Sequence, residues 1–472
     1  MSKPFSVFWG CTIPARFPFI EKSTRLVLEA TGGRPVDVEG YTCCPEGTLV
    51  KAVDEEAYYV TAARNLSLAS AAGLPMVTPC NGCYSTLKSV SSTLRADWRL
   101  AGRISALIAD GATHAADAAD FAQSADIADA VHAAGHAPHP PDAPIFPEVK
   151  HLAEWLFDEL GPAAISKRVV KPLWGMRLAV HYGCHLLRPS PAVRWDSATH
   201  PTKLEDLVRA LGATVVDYDT KMACCGGALD RVGERDGALE FCRAKLDDLT
   251  GVGVDGLVVV CPSCLQQFDL NQASLLRGGE RTPIPVFYYS ELFALTLGFQ
   301  PEELGLSMHR VSVEPFLAAW AEREDRRRVI AEEFSVPELQ KCADCKACED
   351  DCPVTKVAGG FSPTGIIGEI LAGDLEGVIE RGDLWKCLEC FTCYERCHSR
   401  LGMAEVFRKL KELANEREKV PAAVRSAYEM FRATGSLGEP RESARARLGL
   451  APLPARGGDD LERILSRREE RR

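Results

Sequence analysis

Along residues 1–100, short apolar runs alternate with longer segments of helical spacing, with turn signals at Thr31-Gly32-Gly33 and Ala72-Gly73-Leu74-Pro75. Strands alternating with helices predict an α/β layer with a parallel sheet. The pattern returns over 147–300, where MRLAVHYGC and GLVVVCPSC read as apolar strands carrying cysteine at their C-terminal ends. Open α/β sheets place their ligands just beyond those ends. Between the two stretches, residues 101–146 are rich in Ala, Asp and His. The Ala-rich part predicts a helix, and the end, APHPPDAPIFPEV, predicts a linker in which His132, His136 and His139 are solvated. From about residue 301 the strand pattern disappears. Residues 314–435 read as helices separated by cysteine loops, and the tail after Gly438 is charged and loosely held. The expected architecture is α/β and all-α multidomain: a first α/β domain with its linker over 1–146, a second over 147–300, and a helical domain with a charged tail over 301–472.

Composition narrows the class. The 472 residues include 55 Lys plus Arg against 66 Asp plus Glu, a formal net charge of −11. A surface that tracks phosphates needs a basic excess, so a nucleic-acid partner is not expected. No stretch approaches a membrane-spanning apolar run, and Trp, Pro, Arg and Glu interrupt any signal-like core near the N-terminus. A cytoplasmic protein is expected, with no membrane partner. Its 19 cysteines are the outlier. Such density belongs to short exported disulfide scaffolds, and this chain is neither short nor equipped for export. Metal or cluster ligation is the leading explanation.

Eighteen of the cysteines fall in order. Cys11, the pair Cys43–Cys44, and Cys80-x-x-Cys83 form one set of five; Cys184, Cys224–Cys225 and Cys261-x-x-Cys264 form another. Between the single cysteine and the pair lie 31 residues in the first set and 39 in the second, and 35 lie between pair and C-x-x-C in both. This is an internal repeat, and a shared ligand function is the simplest reason to keep five thiols in step. Loops that open helices suit the task, because backbone N–H groups there stabilise anionic sulfur. The third region differs. Cys342-x2-Cys345-x2-Cys348-x3-Cys352-Pro353 and Cys387-x2-Cys390-x2-Cys393-x3-Cys397 follow the two-cluster ferredoxin run, in which the fourth cysteine of each run ligates the other cluster. One cubane 4Fe-4S cluster is therefore expected at Cys342, Cys345, Cys348 and Cys397, and the second at Cys387, Cys390, Cys393 and Cys352. His398 stands where a second Pro would complete the run. Cys242 is left over, in the helical stretch ALEFCRAKLDDL, and reads as a small buried apolar residue.

Other motifs carry less. Gly251-Val-Gly253-Val-Asp-Gly256 matches the dinucleotide fingerprint but follows a helix and precedes a strand, the reverse of the required order. It reads as a turn, and no flavin site is expected on this chain. Zinc competes for the C-x-x-C pairs, although a repeated set of five thiols exceeds the four ligands zinc takes. A thioredoxin-like dithiol at Cys80–Cys83 or Cys261–Cys264 leaves the adjacent pairs unexplained. His185, next to Cys184, is a candidate proton donor to a thiolate product, or a hydrogen-bond partner of a cluster sulfur.

The five-cysteine spacing, present twice, resembles the CCG cysteine-rich domain in the B subunit of heterodisulfide reductase. HYGCHLLRP, ACCGG, VVVCPSCLQQFDLNQ and YYSELFALTLGFQPEELGL resemble the second half of that protein. Residues 301–450, with the double ferredoxin run and ARARLGL, resemble the family's C subunit. Pro45 follows the first pair where the motif has Gly. The resemblance implies a B–C fusion with two pseudo-twofold-related CCG domains. It implies two noncubane 4Fe-4S clusters, one at Cys11, Cys43, Cys44, Cys80 and Cys83 and one at Cys184, Cys224, Cys225, Cys261 and Cys264. These would face one cavity where a disulfide substrate is cleaved, fed by the two cubanes. It also implies a separate flavin- and iron-sulfur-containing donor like the family's A subunit, served by hydrogenase, formate dehydrogenase or nicotinamide-oxidising modules. The alternative is a non-catalytic electron-transfer subunit of a bifurcating complex, such as a benzoyl-coenzyme A reductase assembly. In respiratory relatives the ferredoxin run precedes the CCG domains, which is not the order here.

Overall fold

The structure, a computed structural model, describes residues 3–111, 146–277, 283–343, 345, 347–398, 401–438, 441–453 and 457–469. His132, His136, His139 and most of the expected linker lie outside them. The chain divides into two compact units, Met1–Glu324 and Asp325–Arg472.

The first unit holds two four-stranded sheets, parallel throughout. β1 (Phe5–Val7), β2 (Pro35–Val36), β3 (Met76–Thr78) and β4 (Val149–His151) lie in the order β2-β1-β3-β4. β5 (Arg177–His181), β6 (Thr214–Val215), β7 (Gly256–Val259) and β8 (Val286–Tyr288) repeat it as β6-β5-β7-β8. Residues on both sides of the 101–146 stretch thus contribute to the first sheet. Parallel sheets are covered on both faces, which is why β3, β7 and β8 are buried along their whole length and read as continuous apolar runs. The second strand of each sheet has only two residues and sits at the edge, too short to leave a periodic signal.

Helices Pro18–Ala30, Glu55–Ala71 and Asn81–Ala96 accompany the first sheet; Lys203–Ala210, Arg235–Val252 and Tyr289–Thr296 accompany the second. The last strand of each sheet runs directly into a helix through a capping box. Glu154 returns to the His151 N–H and Glu291 to the Tyr288 N–H, at 3.2 and 2.7 Å. One continuous core joins both sheets, with Phe5, Phe8 and Leu87 on one side and Val180, Leu257 and Phe287 on the other. Within it, Ser23 and Thr24 of one helix meet Ser290 of the other at 2.8 and 3.2 Å. The buried hydroxyls satisfy one another. The glycine-rich segment at 251–256 closes helix Arg235–Val252 and leads into β7, with Gly253 left-handed at the helix end, so it is a turn.

Among the described residues of the second unit every regular element is helical. Pro363–Leu371 is capped by Ser362 and Leu375–Arg381 by Asp374, through bonds from Gly365 N at 2.8 Å and Gly377 N at 3.1 Å. Their apolar faces, with Ile366, Ile367, Ile370, Val378 and Ile379, are buried together with Phe407 and Leu410 of Met403–Glu416. No helix among the described residues is long and apolar enough to cross a membrane.

Candidate functional site

Each five-cysteine set is assembled from loops that leave strand ends. Cys11 follows β1, Cys80 follows β3 as the N-cap of Asn81–Ala96, and Cys83 lies in that helix's first turn. Cys184 follows β5, Cys261 follows β7 as the N-cap of Pro262–Leu265, and Cys264 lies in the first turn. The adjacent pairs arrive on loops braced from a helix. Asn65 accepts from Thr42 N at 2.9 Å and donates to the Cys43 carbonyl at 3.1 Å, and Asp248 accepts from Thr220 N at 2.6 Å. Gly226 N and Gly227 N point at the sulfurs of Cys224 and Cys225, each at 3.4 Å. Helix-opening N–H groups favour sulfur in its anionic form.

The ten sulfurs form one continuous string. Cys43 donates to Cys11 Sγ at 3.6 Å. Hydrogen-bonding contacts then run from Cys43 to Cys44, Cys83 and Cys80, cross to Cys261, and continue through Cys264, Cys225 and Cys224 to Cys184. The middle of the string is buried; its ends, Cys11 and Cys184, are exposed. Along it, each thiol of lowered pKa lies between thiols whose pKa is raised. Hydrogen bonds from Cys43 and Cys83 push Cys44 well down, and those from Cys264 and Cys80 do the same to Cys261. Cys83, bonded to Cys44 and Cys80, and Cys264, bonded to Cys225 and Cys261, are pushed well up, while donation to Cys224 pushes Cys225 to about 12. Packed thiols without a cation cannot all ionise together, because like charges in a dry site repel. A polycationic group would let all ten ionise.

The backbone leaves room for such a group. Gly10 and Gly183 each precede the single cysteine of a set with positive φ, +67° and +72°. A Cβ would stand 2.7 Å from Cys83 Sγ at the first and 3.3 Å from Cys264 Sγ at the second. Two reciprocal contacts tie the sets together. His151, at the end of β4, bonds the Val260 carbonyl at 3.2 Å, and Tyr288, at the end of β8, donates to the Pro79 carbonyl. Those carbonyls immediately precede Cys261 and Cys80.

Two cavities open onto the string. One is lined by Cys184, Cys224, Cys225 and Cys264 with His185; the other by Cys11, Cys43, Cys44 and Cys83. Glu46, Arg231 and Ser263 line both. Arg231 pairs with Glu46 at 3.1 Å and donates to Ser263 Oγ at 2.6 Å, so this trio stands between the cavities. Sequence reading missed it, because Glu46 and Arg231 are distant in the chain and neither sits in a metal-ligand motif. It also missed His181 and Lys245, both buried at the second set. His181 lies with one ring nitrogen, Cys225 Sγ and Cys264 Sγ mutually within 4.8 Å. Neither ring nitrogen has a partner of full hydrogen-bonding geometry among the described residues, and the Lys221 backbone lies close enough to act weakly on the ring. Burial pulls this imidazole down to about 3, so it is neutral. Asn81 Oδ1, on the lining of the same cavity, is also buried and unpartnered. Orphaned polar atoms around converging thiols fit a site built for a sulfur-rich group. Cys242 is buried and donates to the Gln267 carbonyl at 3.3 Å, outside the string.

In the second unit, Cys387, Cys390 and Cys393 share a pocket with Cys352, roofed by Phe391 and Phe407. Glu389 and Phe391 take positive φ, +52° and +60°, in the loop that turns these thiols inward. Cys342, pushed to about 11 by burial, lies close enough to feel Cys397, Cys345 and Cys393.

Comparison with known proteins follows the same division. The model of the CCG cysteine-rich domain matches residues 5–88 and 178–269, and that of the 4Fe-4S dicluster domain matches 338–401. The B subunit of the ferredoxin/F420H2-dependent CoB-CoM heterodisulfide reductase of Methanosarcina acetivorans is 34% identical over 316 residues, covering 66% of this chain and 95% of that one. The 8-methylmenaquinol:fumarate reductase membrane anchor subunit of Wolinella succinogenes is 28% identical over 310 residues, covering 65% and 96%. The C2 subunit of the H2/formate:CoB-CoM heterodisulfide,ferredoxin reductase of Methanococcus maripaludis is 31% identical over 85 residues, covering 18% and 45%. With twin cysteine-rich domains, a dicluster region and these relatives in that order, the chain belongs to the heterodisulfide reductase family, as an iron-sulfur oxidoreductase subunit in which a B-like part precedes a C-like part.

Proposed function

We propose that the chain reduces a disulfide at its two five-cysteine sites, with Cys11, Cys43, Cys44, Cys80 and Cys83 holding one noncubane 4Fe-4S cluster and Cys184, Cys224, Cys225, Cys261 and Cys264 the other. The observation that carries this reading is the unbroken string of ten thiols with a cavity at each half. When bound, the clusters supply the two electrons that disulfide cleavage requires. The chain's own residues do the rest. Arg231, held by Glu46 and Ser263 between the cavities, stands where the substrate's two halves diverge and offers a cation to whichever sulfur gathers charge. His185, half-buried on the lining next to Cys184, is placed to hand a proton to a departing thiolate. The repeated sheet order and reciprocal Tyr288 and His151 contacts support a pseudo-twofold relation between the two α/β halves.

The second unit holds the two cubanes, at Cys342, Cys345, Cys348 and Cys397 and at Cys387, Cys390, Cys393 and Cys352. When bound there, the clusters would supply one-electron transfer from a flavoprotein partner resembling the family's A subunit, of the kind the family's complexes imply. Cysteines used as cluster ligands rather than as disulfides suit a reducing compartment, and the cytoplasm is the proposed location. Two variants test the division of labour against the alternative of a pure electron conduit. Cys225→Ser is expected to abolish disulfide cleavage with an artificial one-electron donor as well as with the flavoprotein. Cys345→Ser is expected to block turnover from the flavoprotein and to keep part of it with the artificial donor. Full turnover in the Cys225 variant would leave the five-cysteine sites structural and favour the conduit.

A further inference from the structure

The two five-cysteine sites share a plan but differ in the side chains around them. Three residues before the single cysteine, the first site has Phe8 and the second His181. Both side chains are buried beside their thiols, one a hydrocarbon ring and the other a ring with two nitrogens and no partner. Phe268 meets the His181 ring edge-on at 4.9 Å, leaving the ring held but unbonded.

Lys245 is the second difference. It is 1% exposed on helix Arg235–Val252, wedged over the rings of Tyr218 at 4.9 Å and Phe268 at 5.9 Å, with its ammonium donating to the Thr220 carbonyl. The anionic groups acting on it are led by Cys264, with Asp248, Cys225 and Cys224 behind. At the same register after the first pair stands Arg64, whose guanidinium is turned to the Gly40 carbonyl at 2.7 Å. The charged side chain felt by Cys44 there is the Glu46 carboxylate. Arg231 stands between the sites and does not distinguish them.

An N–H donor and a buried cation both stabilise the state of an iron-sulfur group that carries more negative charge, which is the reduced one. A hydrocarbon ring and a carboxylate do not. We propose that His181 and Lys245 make the second five-cysteine site the more easily reduced of the two: His181 donates its ring N–H to the sulfur-rich group held at Cys225 and Cys264, and Lys245 places an ammonium beside it. The inference rests on reading both sets as iron-sulfur sites. The step is a one-electron transfer in which the donor is oxidised by one electron and the second site reduced by one, with no protein bond made or broken. The first electron to arrive therefore rests on the side of Cys184 and His185.

The test is a redox titration of the full anaerobic chain followed by electron paramagnetic resonance, with His181→Phe, which installs the first site's residue, and Lys245→Met. Each variant is expected to shift the reduction equilibrium of one site about tenfold toward the oxidised form, about 59 mV lower for one electron. The other midpoints stay in place. Isotope-labelled histidine is expected to show a nitrogen coupling on the higher-potential signal of the parent and none in His181→Phe. Unmoved midpoints in both variants at full iron content, without a nitrogen coupling in the parent, would overturn the proposal. Should His181→Phe fail to load iron, Lys245→Met and the parent's nitrogen coupling decide it. Roughly eight iron in the parent chain, enough for the cubanes alone, would instead defeat the underlying reading before any titration is run.

Discussion

At the scale of single residues, the sequence announced its thiols and concealed what surrounds them. Cysteine spacing alone grouped eighteen ligand candidates, because a set of thiols must keep its register to meet at one point. His181 and Lys245 left no such mark: each is one polar residue inside an apolar strand or an amphipathic helix, and only the fold shows that His181 is buried against Cys225 and Cys264 and that Lys245 is buried within reach of their charge. The same holds for the buried pair of His309 and Glu291, 2.9 Å apart and sealed from solvent. Burial alone would push His309 down; the charge of Glu291 and its hydrogen bond outweigh that and raise it above the ordinary histidine value. A group raised on folding contributes stability that is complete below its unfolded value, about 6.5, and is lost as pH rises through the folded one. Urea midpoints of the parent are therefore expected to fall with rising pH above about 6.5, relative to His309→Gln, whose midpoint lacks this component. Identical pH slopes for the two proteins would refute the assignment.

At the scale of elements, the apolar runs at β5 and β7 were legible because parallel strands are buried on both faces, and the reversed order around Gly253 was legible as a turn. The two-residue strands β2 and β6 were not, since a strand that short has no period. Also invisible was the role of the last strand in each sheet, which ends in a ring that reaches across to the other half. Tyr288 donates to the Pro79 carbonyl, and the two residues are far apart in sequence. Tyr288→Phe removes that hydroxyl and leaves a buried carbonyl without its donor, which is expected to cost about 1–3 kcal/mol. Denaturant unfolding of the first unit's signal in the full chain checks this; a midpoint equal to the parent's would show that the contact between the halves is not stabilising.

At the scale of the whole molecule, two parallel sheets of the same order, each with a cysteine in the loop after its first and third strands, turn an internal repeat into two adjoining sets of thiols. In the helical unit six of the eight clustered thiols are carried on loops between short helices, and Cys342 and Cys393 lie on helices Val336–Ala343 and Thr392–Arg396. The family could be read from the motifs, since thiols that must meet at one point fix their own spacing in the chain. The chemical difference between the two five-cysteine sites could not, because it resides in unlike residues at like positions. The central claim is that all eighteen clustered cysteines hold iron and sulfide. Iron and acid-labile sulfide assays with Mössbauer spectra, on anaerobically purified full chain and on Cys225→Ser, test it most directly. The account predicts roughly 16 iron per chain, falling by about four in the variant with the ferredoxin-type signals intact. Roughly eight iron per chain with zinc bound at the five-cysteine sets, unchanged in the variant, would contradict it.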